Sequence, residues 1–395
     1  MDTIPSIDTA PTSVIVVGAG PVGLATALLL RARGLAVTVL EEAAENVPRP
    51  GSRAIFLHRQ SLATLADADP VLGAELVGNG LIWGARRTSY AGREVHHRTY
   101  TPPPPDRAPF SSLPQPVMEE LLRAACRRAG VELCWQSPVT GVTASSDGVR
   151  VGTPEGGLRA AYAVGCDGAR SAVRRAIGVR LHGPRSPHAF LVLDVADDPG
   201  HPLPPERAFH YRDPRMAGRN VLTVPFRGGL RIDVQCRPDD DPDALGEAAT
   251  DWLPGLLPDG HACSVTWSSH YRFQQVVADR LTDAYGRVLL AGEAGHLFAP
   301  FGARGLNSGI ADAAAAADAL ATGDVSGYAR DRHRAALLNR RAAGRALTHL
   351  TASTPWHRAV QRLAVAAAPR SERAGRWLDS APYGPRDAGI PGSRY

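Results

Sequence analysis

Residues 14–42 read VIVVGAGPVGLATALLLRARGLAVTVLEE, and the fold follows from this stretch. A β-branched run from Val14 to Val17 leads into Gly18, Gly20 and Gly23; a strongly apolar segment follows, and a second β-branched run ends at Glu41. Strand, tight turn, helix and strand in that order form a βαβ unit around a Gly-x-Gly-x-x-Gly turn. Gly18 permits the sharp turn, Gly20 lets backbone approach a pyrophosphate, and Gly23 lets the helix pack onto the sheet. The helix N-terminus offers unsatisfied N–H groups to the anion. Glu41 lies 23 residues beyond Gly18, where a carboxylate accepts hydrogen bonds from a ribose and repels a 2′-phosphate. The unit therefore reads as a site for FAD or NAD rather than NADP.

The chain has 395 residues, enough to bury a sizeable core and to divide into two domains. Its five cysteines, Cys126, Cys134, Cys166, Cys236 and Cys263, show no CxxC and no zinc spacing. They read as reduced thiols of a cytoplasmic protein, and no metal is expected. The N-terminus lacks the charged start and apolar core of a secretion signal, and no apolar run reaches the roughly 18 residues of a spanning helix, so no membrane insertion is expected. All 44 basic residues are arginine, in a chain also rich in Ala, Gly and Pro, as a GC-rich genome dictates. The net charge of +5 is thus no argument for nucleic acid, because the arginines are scattered among acids and aromatics are few. Without lysine, Schiff-base and P-loop lysine mechanisms are excluded.

The expected architecture is α/β: a Rossmann-like dinucleotide domain, an inserted and mainly antiparallel β substrate domain, and a helical C-terminal segment. Residues 1–12 read as a loose arm and TPPPPDRAP as a rigid connection, since successive prolines lack donors. Residues 1–180 form the first part of the nucleotide domain, with 76–100 free to join the substrate sheet. The segment after Pro50 reads as a loop and a helix whose start carries Arg53 and Arg59. A helix begins near Pro116, and two strands turn at Asp147-Gly148. Residues 181–270 change texture into short strands, LVLDVAD, RAFHYRD, NVLTVPF and LRIDVQC, punctuated by Pro, Gly and Asp. Residues 271–345 return to strand, glycine-rich loop and an alanine-rich helix suited to close packing. Residues 346–395 are helical, then break up in a tail.

Two further pieces converge with the first. In VGCDGARSAVRRAIG, from Val164 to Gly178, Asp167-Gly168 ends a strand and Ser171 can cap the next helix. In RVLLAGEAGHLFAPFGARGLNSGIADA, from Arg287 to Ala313, a buried strand delivers Glu293 and a glycine-rich loop reaches a helix start near Leu306-Asn307. N–H groups there suit negative charge on a planar cofactor.

Together the three pieces resemble the class A FAD-dependent aromatic hydroxylases of the para-hydroxybenzoate hydroxylase type, over about residues 13–345. The resemblance implies noncovalent FAD, with Gly18, Gly20, Gly23 and Glu41 on the ADP half and Arg53 near the pyrophosphate. It implies Gln115 by the ribityl region, and Asp167 and Gly168 in a motif shared by FAD and NAD(P)H. Glu293 stands where the family has aspartate beside the ribityl hydroxyls, and Pro300, Gly302, Gly305, Leu306 and Asn307 lie beside the isoalloxazine ring. It further implies NADPH or NADH as transient reductant, O₂ as co-substrate, and oxygen insertion through a flavin C4a-hydroperoxide. Arg174 and Arg175 suit a 2′-phosphate, which favours NADPH. A base that ionises a phenol would help, and His210, Tyr211 and His296 are the polar candidates, each also at home in a structural or solvated role. The expected activity is hydroxylation of a phenolic or polyketide-type aromatic, in antibiotic or related biosynthesis. Baeyer–Villiger or epoxidising monooxygenation, and an oxidase or dehydrogenase without oxygen transfer, stay open as alternatives. A single Gly-x-Gly-x-x-Gly and no CxxC argue against a disulfide reductase, and the absence of WxWxIP against a flavin halogenase. The length leaves no room for the thioredoxin-like third domain of larger relatives, and the oligomeric state is not legible.

Overall fold

The computed structural model describes residues 12–47, 51–53, 56–101, 104 and 107–380. The expected N-terminal arm, most of the proline run and the C-terminal tail lie outside the described residues. The architecture is mixed α/β. In the first sheet, strands Glu132–Cys134, Val37–Leu40, Thr12–Val17 and Gly156–Gly165 lie side by side in parallel. Val288–Leu290 continues the parallel order beyond the end of Gly156–Gly165. The first half of that long strand pairs antiparallel with Gly148–Thr153, which turns back into Gly141–Ser145.

The helix Pro21–Ala32 shows why the glycines stand where they do. Its residues from Gly23 to Leu30 are all buried, apolar on every side because the sheet lies beneath and other helices lie across it. A Cβ on Gly23 would lie 1.8 Å from the Gly18 carbonyl oxygen, and one on Gly18, at φ +99°, would lie 2.7 Å from the Cys166 oxygen. On the far side a Cβ on Gly309 would come within 2.4 Å of Val22, so the alanine-rich helix Arg304–Thr322 packs backbone-close on the first helix. Thr26, inside this apolar helix, donates its hydroxyl to the Val22 carbonyl at 2.7 Å. Each Leu or Val so buried contributes about 1.5–3 kcal/mol.

The second sheet has the order Val265–Gln274, Arg185–Ala196, Gly229–Gln235, Arg219–Phe226, Glu206–Asp213, Ala85–Tyr90, Arg93–Thr99. Neighbours are antiparallel except Glu206–Asp213 and Ala85–Tyr90, which run parallel because the latter hairpin comes from far earlier in the chain. Alternation sorts the sheet into two faces. Leu191, Leu193, Val195, Val221, Ile232 and Val234 pack with Ala249 and Leu253 of the short helical stretch beyond the sheet. Phe190, Phe209, Tyr211 and Phe273 pack on the other side with Ala299 and Phe301 of the first domain and with Ala343, Leu347 and Leu378 of the C-terminal helices.

Those helices, Val325–Thr351, Pro355–Ala367 and Glu372–Asp379, are anchored by charge as well as by apolar contact. Arg207, 1 % exposed, reaches the Asp379 carboxylate at 3.0 Å and its carbonyl at 2.9 Å, and Arg86 approaches the same carboxylate at 3.5 Å. Burial would raise the Asp379 carboxyl pKa, but Arg207 and Arg86 hold it below the usual range. Asp379→Asn should therefore leave buried guanidinium charge uncompensated and cost about 3–5 kcal/mol. A urea midpoint lowered at unchanged slope is the expected result. A change under about 0.5 kcal/mol would show the helix to be held by its apolar face alone.

Candidate active site

At the dinucleotide turn Gly20 caps the helix with no side-chain bond, Pro21 takes the first helical position, and the first turn carries no acid. The N–H groups and positive potential of the helix end therefore remain available to an anion. Glu41 follows the strand Val37–Leu40, and one carboxylate oxygen accepts the Ala19 N–H at 2.6 Å while the other accepts the Ala43 N–H at 3.1 Å. The acid read as a ribose ligand thus first fixes the glycine turn itself.

The second piece closes against the first. Asp167 accepts the N–H groups of Ala172 and Val173 through one oxygen at 2.7 and 3.0 Å, and Ser171 accepts the Arg174 N–H as expected of a cap. The other Asp167 oxygen is buried without a hydrogen-bond partner. Arg174 departs from the sequence reading. It is buried, and its guanidinium donates to the carbonyls of Ala294 and Ala169 at 3.0 and 2.8 Å, so it ties this helix to the Gly292 turn and is not free for a 2′-phosphate. Arg175 remains exposed.

The third piece supplies the cleft. After strand Val288–Leu290 the chain enters a short 3₁₀ turn at Gly292, with φ +61°, which projects Glu293. Glu293 is exposed, yet so enclosed by surrounding protein that desolvation raises its carboxyl pKa against the pull of His296 and Arg53. The neighbouring His296 is 1 % exposed, bonds Asp312 at 2.6 Å and stacks on Phe298 at 4.6 Å. Asp312 also accepts the Gly292 N–H at 3.0 Å and Arg332 at 2.6 Å, so His296 serves here as an internal strut of the turn.

Beyond it Gly302 and Ala303 adopt φ +83° and +50°, and the helix starts at Arg304, earlier than the expected Leu306-Asn307. A Cβ on Gly305, or on Gly168, would meet no atom within 4 Å, whereas Leu306 packs on the main core. Asn307 is committed: its oxygen accepts the His58 N–H at 2.9 Å and the Ser61 hydroxyl at 2.7 Å, and its nitrogen donates to the Phe56 and Ala303 carbonyls at 2.8 and 2.7 Å. It therefore clamps the turn that carries Pro300 and Gly302, with no polar atom left over for a cofactor. His58 joins this clamp by donating to the Gly302 carbonyl at 3.0 Å. Burial lowers its pKa to about 4, with Arg304 assisting and the Gly302 carbonyl opposing.

Arg53 does not open a helix. It sits at φ +45° ahead of the strand Phe56–His58, and the helix starts at Arg59. The preceding Ser52 accepts the Gln115 N–H at its carbonyl, 3.0 Å, and donates both its N–H and its hydroxyl to Asp194 at 2.6 Å each. Arg231 donates to the Arg53 carbonyl and pairs with Asp233 at 2.8 Å, with the Tyr271 hydroxyl at 3.5 Å. Gln115 itself bonds Glu119 at 2.7 Å. Asp194, Arg231 and Asp233 belong to the face of the second sheet that looks toward the first domain, since they alternate with the Leu193 and Ile232 side chains of the opposite face. A charged residue inside the runs LVLDVAD and LRIDVQC was the signal for them.

His210 and Tyr211 do not join this group. His210 pairs with Val221 on the opposite face and approaches Asp213 at 3.8 Å. Tyr211, 1 % exposed, donates to the Leu378 carbonyl at 2.8 Å and so anchors the last described helix. Burial pushes its pKa well up. Cys126 and Cys166 are likewise raised to about 12 by burial, and so are inert thiols at neutral pH. Among the described residues no cluster suits a metal ion, and no helix is long and apolar enough to cross a membrane.

These residues fit FAD. The uncapped helix end suits a pyrophosphate, and the unpartnered Asp167 oxygen, the open space at Gly168 and Gly305 and the exposed Glu293 carboxylate leave acceptors and room for the rest of the cofactor.

The family described as FAD binding domain matches residues 11–349. The 3-(3-hydroxy-phenyl)propionate/3-hydroxycinnamic acid hydroxylase of Mycobacterium avium (strain 104) is 33% identical over 349 residues, 81% of this chain and 56% of that protein. The chain thus spans a little over half the length of this relative. A dialkyldecalin synthase of Streptomyces rugosporus is 31% identical over 97% of this chain and 81% of its own. The crystal structure of p-nitrophenol 4-monooxygenase PnpA from Pseudomonas putida DLL-E4 superposes with a TM-score of 0.75 at 26% identity, covering 95% of this chain and 99% of that one.

Two outcomes test the geometry. Glu293→Gln should weaken FAD binding about tenfold, the effect of losing a charge-assisted bond, while Glu293→Asp largely preserves it. Equal affinity in parent and Glu293→Gln, by fluorescence titration of apoprotein, would remove the carboxylate from the site. The second concerns acid. Because the His58 pKa lies at about 4 in the folded chain and at about 6.5 in an unfolded one, the unfolded chain binds more protons between those values. Stability from His58 is full above the upper value and lost as pH falls toward the lower. His58→Gln keeps a donor for Gly302 and should show a smaller drop in Tm between neutral and acidic buffer than the parent. An equal drop would place the acid sensitivity elsewhere.

Proposed function

The chain belongs to the FAD binding domain family, the class A flavoprotein hydroxylases, and on that premise we propose that it is an FAD-dependent monooxygenase acting on a phenolic or polyketide-type aromatic. One observation carries the reading. The turn Ala299–Ala303, which follows the Gly292–Ala294 turn carrying Glu293 in the chain, sets Phe301 against the aromatic side chains Phe190 and Phe273 of the second sheet, each 5.5 Å from it. In this reading the cofactor and the substrate would meet across that turn.

FAD, when bound, supplies the electron transfer from NAD(P)H to O₂ and the oxygen transfer to substrate. The protein's part is to bind, orient and exclude water. The Gly18–Gly23 turn and its helix would hold the pyrophosphate, with Glu41 and Arg53 toward the ADP half and Gln115 and Glu293 toward the ribityl chain. No covalent link is needed. Phe190, Phe273 and Phe301, buried and mutually in contact, keep the meeting point dry, which is what an oxygen-transferring site requires to avoid wasteful breakdown. With Tyr211 bonded to the Leu378 carbonyl, His296 to Asp312, and His210 on the opposite sheet face near Asp213, the design orients a phenol more than it deprotonates one. NADPH or NADH binds transiently, since the single βαβ fingerprint is taken by FAD.

The dialkyldecalin synthase, similar over nearly the whole chain, favours a second reading, ring formation on the same frame without net oxygenation. Substrate-stimulated NAD(P)H oxidation with one atom of labelled O₂ in the product is the outcome expected of the first. Conversion with neither NAD(P)H nor O₂ consumed would replace it with the second, and stoichiometric H₂O₂ would point to an oxidase.

A further inference from the structure

The helix Pro355–Ala367 presents two different apolar faces. Thr354 caps it, accepting the His357 N–H at 3.2 Å, and Pro355 takes the first helical position. On the inner face Gln361, 5 % exposed, donates to the His349 carbonyl at 3.3 Å, and Ala364 and Val365 pack on the core that joins the second sheet to the C-terminal helices. On the outer face Trp356, Ala359, Leu363 and Ala366 recur at i, i+3, i+7 and i+10, and all four are exposed. Trp356 is 73 % and Leu363 70 % exposed, the two most open large apolar side chains among the described residues.

Single apolar side chains on a surface are ordinary, but two large ones aligned on one stripe, with alanines between and beyond them, mark an interaction face. The same helix carries two exposed arginines, Arg358 and Arg362, and no acid. Four residues apart, they line one edge of the stripe. The basic character continues beyond the helix, where Arg370, Arg373 and Arg376 stand against a single acid, Glu372, which pairs with Arg376 at 3.4 Å. A second copy of the helix laid antiparallel on the first would set Arg358 and Arg362 on the same side as their own counterparts, with no acid on the helix to pair them. Charge therefore selects an anionic partner, and the stripe selects one with an apolar layer beneath its charge. A lipid surface offers both to a helix with tryptophan and leucine on one face and arginines along its edge.

We propose that the helix Pro355–Ala367 docks on an anionic lipid bilayer, with Trp356 and Leu363 inserted at the headgroup boundary and Arg358 and Arg362 on the lipid phosphates. The helix lies along the membrane and does not span it, its 13 residues covering about 20 Å of surface. The stripe is on the side of the helix away from the Phe190 and Phe301 core, so docking leaves the oxygenation chemistry untouched.

The FAD-loaded full chain should sediment with vesicles of equal parts phosphatidylcholine and phosphatidylglycerol, and stay in solution with phosphatidylcholine alone. Tryptophan emission should shift to the blue on the anionic vesicles, and the shift should be absent from Trp356→Phe. Leu363→Ser keeps every charge, so it separates the stripe from the chain's net charge of +5, and should bind about tenfold more weakly. Arg358→Gln and Arg362→Gln should each weaken binding about fivefold. These side chains are exposed, so the variants should keep the parent's Tm and FAD content. Neutral vesicles bound as well as anionic ones, no binding to either, or binding that Leu363→Ser leaves unchanged overturns the proposal. So does a dimer in ultracentrifugation that Leu363→Ser dissolves and anionic vesicles do not disperse, which would give the stripe to a second copy.

Discussion

The four hydrogen bonds of the Asn307 amide hold together segments nearly 250 residues apart in sequence, the strand Phe56–His58 and the turn before the helix Arg304–Thr322. An amide offers two donors and one acceptor oxygen, and here both ends are used on backbone or on Ser61. Gly302 and Ala303, in a left-handed conformation that costs an alanine free energy, persist because this clamp and the His58 bond over-determine them. The start of the helix Arg304–Thr322 and the position of Phe301 both follow from that fixed turn. Asn307, read from sequence as lying beside the isoalloxazine ring, spends its side-chain amide on protein groups.

Buried charge is distributed by the same logic. In a chain whose only strong cation is arginine, the deep guanidinium groups are placed against acids or carbonyls: Arg207 on Asp379, Arg231 on Asp233, Arg332 on Asp312, Arg174 on Ala169 and Ala294. A planar fork that donates in several directions suits such multi-point bracing better than an ammonium would. Asp312 is the hub of one brace, and burial, which would raise its pKa, is outweighed by Arg332 and His296. Its bond to the Gly292 N–H fixes the backbone from which Glu293 enters the cleft.

What the sequence made legible was local. Gly18 and Gly23 are recognisable because the contact that forbids a Cβ at Gly23 is with Gly18 itself, five residues away. The Ser171 cap and the Asp147-Gly148 turn are legible for the same reason. Arg174 was not, because the carbonyl that buries it, Ala294, comes from a strand end 120 residues later. His210 and Tyr211 are adjacent, so strand alternation alone sends them to opposite faces, and only the packing of Leu378 decides what Tyr211 meets. Glu41 lies between these cases: its position after the strand is local, while its bond to Ala19 depends on how the glycine turn closes.

The relation between cofactor cradle and substrate sheet depends on the three residues Gly51 to Arg53. A Cβ on Gly51 would lie 2.3 Å from the Trp267 ring, so only glycine lets the chain pass beneath the sheet there. Ser52 is held from the sheet by Asp194 and from the first domain by the Gln115 N–H, and Arg231 of the sheet holds the Arg53 carbonyl. These bonds join groups on both domains through one backbone segment, so the sheet cannot tilt without moving Arg53, whose charge bears on Glu293. Burial raises the Asp194 carboxyl pKa, with the two Ser52 bonds and Arg231 opposing. One short segment thereby ties the second sheet to the first and fixes both to the position of Arg53.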